Sequence, residues 1–297
     1  MKRIALKIDV DTYRGTLHGV PALVGLLQKY EAGATFFFSL GPDQSGCDER
    51  ANSLSRHYGL ATRLYGRILP APNIGVRCAE SIRQVRDAGF EVGIHAWNRA
   101  GWERNVQTAE NRWIEGEMAK ACARFQEIFS DDPKAHAAAG WRTNRHALRL
   151  TQRLGFSYAS DCRGSHPFIP VIDGELVACP QLPTTLPTLD ELLVLEPRYS
   201  PEQAVDRIAQ LANAIAGDHV FTLRAELEGM KFIDAFERLL GVWKSDDLLL
   251  VPLRDIRATL DPGALPRHTV SLGNTPGRNG ARLTQGNAFL WQHIRTA

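Results

Sequence analysis

Short runs of apolar residues alternate along the chain with longer stretches in which apolar residues recur every three or four positions. The short runs are typical of buried β-strands, and the longer period is typical of amphipathic helices. The clearest helical stretch covers 108–129, where apolar side chains repeat at Ile114, Met118, Phe125 and Phe129. This alternation predicts βαβ units around one parallel sheet or barrel.

The two patterns together predict about seven core strands, each followed by a helix or a long loop. The strands are predicted at 3–11, 34–40, 91–97, 135–139, 156–161, 220–226 and 248–253. The helices are predicted at 17–30, 76–88, 108–129, 144–154, 201–216 and 233–243. Because no shift in composition marks a second domain, we expect a single barrel-like α/β domain over residues 1–261.

Three segments depart from this pattern. Residues 41–73 are irregular, polar and rich in arginine, which indicates a long excursion with some helix. Within 168–178, Asp173-Gly174 lies between two β-prone arms and predicts a hairpin. Residues 262–297 are polar and glycine-rich, and we expect them to form a loosely packed tail.

Composition and charge exclude several classes of protein. The chain has 35 Lys and Arg against 33 Asp and Glu, a formal net charge of +2, which argues against a general nucleic-acid-binding protein. The sequence lacks a run of about 18 apolar residues, so no transmembrane helix is predicted, and its first residues resemble a strand rather than a signal peptide. The five cysteines include no C-x-x-C pair, which favours a reduced cytosolic compartment over disulfides or zinc fingers.

Polar residues gather where the predicted strands end. In parallel α/β folds the chemistry takes place at the carboxyl ends of the strands, because the loops there converge on one opening. The residues at these ends are Asp9, Asp11, His95, Trp97, Trp141, Arg142, Asp161, Arg224, Glu226 and Glu228.

Asp9 and Asp11 are two residues apart on a strand, so their side chains leave the same face about 7 Å apart. Two such carboxylates suit a divalent cation, or a general base beside a metal ligand, although capping of a loop is the alternative. His95 shares a strand face with Gly93, which leaves space beside the imidazole; the alternative is a core histidine.

Two further strand ends carry reactive residue types. Arg142 follows Gly140-Trp141 and suits bidentate binding of a carboxylate or phosphate, or else lies in a surface turn. Cys162 stands between Asp161 and Arg163, but the sequence assigns it no histidine base, so we expect an inert thiol.

These residues belong to longer segments that occur in one order along the chain. The segments are Ile8-Asp9-Val10-Asp11-Thr12, Phe37-Phe38-Ser39-Leu40-Gly41-Pro42-Asp43, Glu91-Val92-Gly93-Ile94-His95-Ala96-Trp97, Gly140-Trp141-Arg142, Ser160-Asp161-Cys162-Arg163-Gly164 and Ala225-Glu226-Leu227-Glu228-Gly229. Taken together they resemble the polysaccharide deacetylase (NodB-homology) family, and within it the branch of formamido-arabinose-phosphoundecaprenol deformylases. The resemblance implies a distorted (β/α)7 barrel and hydrolysis of an amide C–N bond at a divalent metal such as zinc.

The resemblance also implies roles for individual residues. Asp9 matches the catalytic base, Asp11 and His95 match metal ligands, and Arg142 lies in the segment that orients the base. Asp161, Arg224 and Glu226 complete the expected catalytic set. The expected substrate-binding residues are Arg14, Trp97, Trp141 and Arg163.

The sequence departs from the family at two histidine positions, which hold Arg99 and Arg224. A guanidinium has five donors and no lone pair, so Arg99 cannot ligate a metal, and Arg224 cannot release a proton near neutral pH. One hypothesis is that Arg99 places its charge between the two aspartates and substitutes for a metal. In the alternative, both arginines face the solvent and His136 or His166 completes a metal site.

Three functions remain open at this point. The first is a hydrolase that removes formyl or acetyl from an amino sugar, which the resemblance implies to be lipid-linked and located at the cytoplasmic face of the inner membrane. The second is a metal-free, catalytically silent relative that binds a sugar or an anionic ligand. The third is a metal-free enzyme in which Asp9 is the base and Arg224 stabilises an oxyanion. Arginines between Arg50 and Arg67 could contact a lipid phosphate, although a solvated loop is the simpler interpretation.

Overall fold

A parallel sheet of seven strands forms the centre of the molecule. The computed structural model describes residues 2–47, 57–195 and 198–289. The strands of the main sheet are β1 (Arg3–Val10), β2 (Thr35–Ser39), β3 (Glu91–Ala96), β4 (Ala135–His136), β5 (Tyr158–Ala159), β8 (His219–Arg224) and β9 (Leu249–Val251). They are ordered β5-β4-β3-β2-β1-β8, with β9 also paired to β1. The predicted set of seven core strands is confirmed.

Helices pack around this sheet, and each of the six predicted helices is present. The helices are α1 (Val20–Lys29), α2 (Ile74–Arg77), α3 (Ala79–Asp87), α4 (Arg99–Asn105), α5 (Asn111–Phe129), α6 (Arg145–Arg153), α7 (Leu189–Leu192), α8 (Pro201–Ala214), α9 (Ile233–Ser245) and α10 (Leu253–Ala258). Helix α4 was not predicted; it begins after Asn98, whose side chain accepts a hydrogen bond from the Gly101 amide at 2.8 Å. None of the described helices combines the length and apolarity needed to cross a bilayer.

The sheet curls into a half-barrel, which confirms the predicted distorted barrel. An extended segment bridges the two ends of the sheet. Leu182 N donates to Ala159 O on β5 at 2.8 Å, and Thr185 N donates to Val220 O on β8 at 3.0 Å. The ring of backbone therefore closes through this segment instead of through direct pairing of β5 with β8.

The interior face of β1 changes from apolar to charged along the strand. Alternation places Ala5, Lys7 and Asp9 on this face, and Ala5 packs inside the barrel with Phe37 and Val220. The opposite face of β1 joins the larger core that lies under the helices. The charged end of β1 therefore opens at the carboxyl ends of the strands.

A second, smaller sheet contradicts the expected loose tail. Strands β6 (Ile169–Ile172), β7 (Glu175–Leu176), β10 (Arg267–Gly273) and β11 (Arg282–Ala288) are ordered β11-β10-β6-β7. Asp173 and Gly174 have φ of 50° and 78° in the turn between β6 and β7, as the predicted hairpin requires. The prediction of a loosely packed tail was wrong for 267–288, because this polar segment pairs with β6 and buries Arg282 and Leu283.

Candidate active site

Charged side chains from three strands meet inside the mouth of the half-barrel. Asp9 and Asp11 come from the end of β1, His95 from β3 and Arg224 from β8, where Arg224 is the register partner of Asp9. All four side chains are at most 4% exposed. The carboxyl ends of neighbouring parallel strands therefore bring together residues that lie more than 200 positions apart in the sequence.

The buried groups form a line in which cations and carboxylates alternate. Lys7 Nζ lies 3.1 Å from Asp9 Oδ1, and His95 Nδ1 lies 3.8 Å from the same oxygen. On its other side, His95 Nε2 lies 3.2 Å from Asp11 Oδ1, and Arg224 Nη1 donates to Asp11 Oδ2 at 3.0 Å. Each aspartate thus has a basic side chain on either side.

The electrostatics of Asp11, His95 and Arg224 favour their charged forms. Burial by itself would raise the pKa of Asp11, but His95 and the Arg224 guanidinium hold it well below its usual range. Burial by itself would lower the pKa of His95, and the two carboxylates raise it above its ordinary value instead. Burial by itself would lower the pKa of Arg224, and the charge of Asp11 raises it well above its ordinary value instead.

The structure corrects the hypothesis that Arg99 stands between the two aspartates. The cation beside Asp11 is Arg224 and the cation beside Asp9 is Lys7. Arg99 instead pairs with Glu103 one turn along α4, with 2.9 Å between Nη1 and Oε1. The alternative in which both arginines face the solvent was also wrong, since Arg99 is 5% and Arg224 4% exposed.

Two glutamates hold the backbone around the cluster. Glu226 Oε1 accepts hydrogen bonds from the amides of Asp11 and Thr12 at 2.8 and 2.7 Å, so it fixes the turn that follows β1. Burial and the charge of Asp11 raise the pKa of Glu226 to about 7. Glu228 Oε2 accepts the Arg224 amide at 2.9 Å, and burial together with the charge of Asp190 raises the pKa of Glu228 to about 8.

Two other expected catalytic residues are engaged with neighbouring loops and strands. Arg142 donates to the carbonyl oxygens of Glu103 at 3.0 Å and Asn279 at 3.2 Å, so it joins α4 to the turn between β10 and β11. Asp161 Oδ1 lies 2.8 Å from His136 Nδ1, which joins the ends of β4 and β5. Burial would raise the pKa of Asp161, and the His136 charge lowers it below its usual value.

The expected substrate-binding residues fall into separate places. The Trp141 ring is buried and faces Lys7, Arg163 and a further arginine, Arg278, with each cation 5.1–5.3 Å from a ring centroid. Trp141 therefore connects the cluster to the loop that carries Arg163. Trp97 lies beside α5 instead, with Lys120 Nζ 5.7 Å from its ring.

Arg14 lines a small cavity beside the cluster. This cavity has a volume of about 110 Å³ and is also lined by Thr12, Tyr58, Glu226 and Lys231. Arg50, the first of the arginines expected to contact lipid phosphate, lies outside the described residues. The expected inert thiol of Cys162 is buried, and burial raises its pKa well above the ordinary value.

The residues present do not fit a divalent metal ion. Arg224 already pairs with one oxygen of Asp11, and His95 lies beside the other. The position expected for the second histidine holds Arg99, whose guanidinium repels a cation and has no lone pair. In the described part of the chain, no three His, Cys, Asp or Glu side chains are grouped as ligands of one ion, so neither His136 nor His166 completes the set.

Sequence reasoning missed Lys7 and Glu103. Lys7 is a lysine inside an otherwise apolar strand and alternates onto the face of Asp9, so its position alone could have indicated a buried partner. Glu103 lies four residues after Arg99, the spacing of a helical ion pair, but α4 itself was not predicted.

Glu228 makes stability depend on pH in a testable way. An ordinary glutamate ionises near 4.5, whereas folded Glu228 ionises near 8. Between these values the folded state holds one proton more on Glu228, so the contribution of Glu228 to stability is greatest below pH 4.5 and falls by roughly 1.4 kcal/mol per pH unit as the pH rises towards 8. Glu228→Gln cannot ionise and keeps an acceptor for Arg224 N, so we expect it to gain stability relative to wild type between pH 5 and pH 8.

Urea unfolding at both pH values measures this gain, and the exposed Glu127→Gln is the matched control. A constant difference in unfolding free energy between Glu228→Gln and wild type would show that Glu228 does not change its charge in this range.

Comparisons with known proteins agree with this architecture. The family model described as polysaccharide deacetylase matches residues 2–159. A relative from Shewanella sediminis, a "probable 4-deoxy-4-formamido-L-arabinose-phosphoundecaprenol deformylase", is 35% identical over 273 residues, which cover 86% of this chain and 85% of the relative. A relative of the same name from Wigglesworthia glossinidia brevipalpis is 31% identical and covers 90% of this chain and 96% of its own. The crystal structure of a probable polysaccharide deacetylase from Pseudomonas aeruginosa shares the fold, with 18% identity, a TM-score of 0.62 and coverage of 86% of this chain and 90% of that one.

Proposed function

Since the chain belongs to the polysaccharide deacetylase family, we propose that it hydrolyses the amide C–N bond that holds a formyl or acetyl group on a lipid-linked amino sugar. The two relatives named as deformylases act on a formamido sugar that is linked to a polyprenyl phosphate, and they match most of this chain. The acyl group that the protein removes is therefore proposed to be formyl in preference to acetyl. We further propose that the protein acts at the cytoplasmic face of the inner membrane, in peripheral contact with the lipid.

One observation carries this proposal: Asp9, Asp11 and His95 are buried side by side at the carboxyl ends of β1 and β3, in a chain that is 35% identical to a named deformylase. Buried carboxylates that only stabilise a fold are costly, because a desolvated charge needs a partner. A group of them at the mouth of a parallel α/β fold is where this architecture performs chemistry.

The mechanism that these residues support uses protein groups alone. Asp9 accepts a proton from a water molecule as the water oxygen attacks the amide carbon. The negative charge that develops on the carbonyl oxygen is stabilised electrostatically by Arg224, which retains its protons. When the tetrahedral intermediate collapses, the C–N bond breaks and Asp9 returns its proton to the leaving nitrogen. The products are the free amine and formic acid, which loses its proton to water and becomes formate.

Release of formate tests the function and the mechanism together. Tag-free protein is given a 4-formamido-arabinose phosphate that carries a shortened polyprenyl chain, and the acetamido analogue is assayed in parallel. We expect formate release to be unchanged by EDTA and by added zinc, because the metal position is filled by arginine. Formate release that depends on added metal would contradict the metal-free mechanism but would still support the proposed hydrolase activity. Binding of the substrate without release under any condition would favour the silent relative.

A further inference from the structure

Two histidines that the proposed function does not use face each other on the smaller sheet. His166 lies in the loop before β6, and His268 lies on β10. Their Nε2 atoms are 3.1 Å apart, and their ring centroids are 4.9 Å apart with an interplanar angle of 71°. The hydrogen-bond partners of both rings determine whether each Nε2 carries a hydrogen or a lone pair.

The tautomer of His268 follows from a backbone carbonyl. His268 Nδ1 lies 2.9 Å from the carbonyl oxygen of Gly286. A carbonyl oxygen only accepts, so Nδ1 carries the hydrogen and the Nε2 of the neutral ring carries a lone pair.

The tautomer of His166 follows from the orientation of the Gln285 amide. The Ser165 amide donates to Gln285 Oε1 at 2.8 Å, which identifies the oxygen of this side chain and leaves its Nε2 as the donor to His166 Nε2 at 3.1 Å. His166 Nε2 must therefore carry a lone pair and Nδ1 the hydrogen. Nδ1 then donates to Ser165 Oγ at 2.9 Å, and the Ser165 hydroxyl donates to Gln285 Oε1 at 3.2 Å.

Two lone pairs consequently face each other at the distance expected for ligands of one ion. Two imidazoles that bind the same metal at about 2.0–2.1 Å, with an angle near 100° at the metal, have nitrogen and centroid separations close to those of His166 and His268. Imidazole nitrogens with the hydrogen on the opposite nitrogen, held by a carbonyl or hydroxyl oxygen, are the usual form of metal-bound histidine.

We propose that His166 and His268 form a binding site for a divalent transition-metal ion, with water completing its coordination. Neutral imidazole selects zinc, nickel and copper over magnesium or calcium, which prefer oxygen ligands. His166 is exposed, so the ion has access from solvent. The ion displaces the hydrogen bond from Gln285 Nε2, while Gln285 Oε1 continues to hold the Ser165 backbone.

The site would clamp the C-terminal hairpin to the loop that carries Arg163. The Arg163 amide donates to Leu283 O at 3.0 Å, and the Gln285 amide donates to Arg163 O at 2.8 Å, so this loop already lies along β11. A metal shared by His166 and His268 adds a bond between the same loop and β10. An ion that binds only the folded state therefore stabilises it by RT ln(1 + c/Kd), where c is the concentration of free ion.

Calorimetric titration of the tag-free protein with zinc chloride tests the proposal. We expect one equivalent of zinc that is lost in His166→Ala and in His268→Ala and retained in the control His18→Ala, an exposed histidine in the helical turn before α1. Ser165→Ala removes the partner of His166 Nδ1 and is expected to weaken the affinity about tenfold. Magnesium chloride is expected to give no binding heat at this site.

Long-range 1H–15N spectra of the imidazoles give a readout that does not depend on affinity. We expect hydrogens on Nδ1 of both rings at pH 7 without metal, and a shift of both Nε2 resonances on addition of zinc. A hydrogen on either Nε2, or zinc binding that is unchanged in the His166→Ala/His268→Ala double variant, would overturn the proposal. Zinc that is lost only in Asp11→Asn would belong to the strand-end cluster instead.

Discussion

Arg99→His combined with Arg224→His is expected to convert the strand-end cluster into a site that binds a divalent metal tightly. Removal of Arg224 frees the Asp11 oxygen to which it donates at 3.0 Å, and histidine in place of Arg99 supplies a lone pair where the guanidinium had none. Together with His95 this gives three protein ligands. We expect the affinity for zinc at this site to rise by about 100-fold or more, which corresponds to about 2.7 kcal/mol.

Neither single substitution is expected to reach this affinity. Arg224→His alone leaves the charge of Arg99 at the position expected for the third ligand, and Arg99→His alone leaves Asp11 paired with Arg224. Because both arginines act on the same carboxylate, the two effects on affinity should be strongly non-additive. A double-mutant cycle of zinc affinities measures the coupling.

A matched control exchanges two exposed arginines for histidine, Arg83→His with Arg238→His, each of which has a surface ion pair. Zinc bound by the Arg99→His/Arg224→His variant is counted as equivalents additional to those of this control. If that variant folds, as judged by circular dichroism, and binds no additional zinc, then Asp11 and His95 do not hold the positions assigned to them. Tight zinc in wild type that is lost in Asp11→Asn would contradict the metal-free interpretation directly.

Local periodicity was sufficient to predict where the acidic cluster lies. Asp9 and Asp11 follow a strand whose side chains alternate between two faces, and His95 follows another, so the parallel sheet had to bring them to one edge. The same reasoning applies to Phe36 and Phe38, which had to be buried whichever face carried the helices.

The sequence could not predict which basic side chain pairs with Asp11, because this pairing depends on the register between β-strands. Arg224 reaches Asp11 since β8 pairs with β1 so that Arg224 lies opposite Asp9, a relation between strands over 200 residues apart in the sequence. Arg99 pairs with Glu103 because α4 begins after Asn98 and places the two residues four positions apart on one helix. Neither the contact of Arg224 with Asp11 nor that of Arg99 with Glu103 can be deduced from the local sequence pattern.

The C-terminal hairpin of β10 and β11 was not predicted, for a different reason. Strands β10 and β11 are short of apolar residues, and their buried side chains include a charged residue, Arg282. The adjoining Arg278 pairs with Asp190, so this part of the hairpin is anchored by charge. A search for alternating apolar residues therefore finds no signal, whereas pairing with β6 determines the structure.

Asp9→Asn is expected to abolish formate release and to destabilise the fold at the same time. As the general base, Asp9 should contribute about 10²–10⁴-fold to the rate. Its loss also leaves Lys7, which is fully buried, without the carboxylate that lies 3.1 Å from its ammonium group. Removing one member of a buried ion pair typically costs about 3–5 kcal/mol, so the free energy of unfolding should fall by a similar amount.

A second substitution separates these two effects, because stability and catalysis depend on different properties of Asp9. Lys7→Met removes the stranded charge and places a flexible apolar side chain near the Trp141 and Phe37 rings, which Lys7 Nζ now approaches at 5.3 and 5.9 Å. The Lys7→Met/Asp9→Asn variant should regain most of the unfolding free energy in urea and still release no formate. Wild-type stability in Asp9→Asn alone would show that Lys7 and Asp9 are not an ion pair. Formate release in the double variant within about tenfold of wild type would show that another group removes the proton from water.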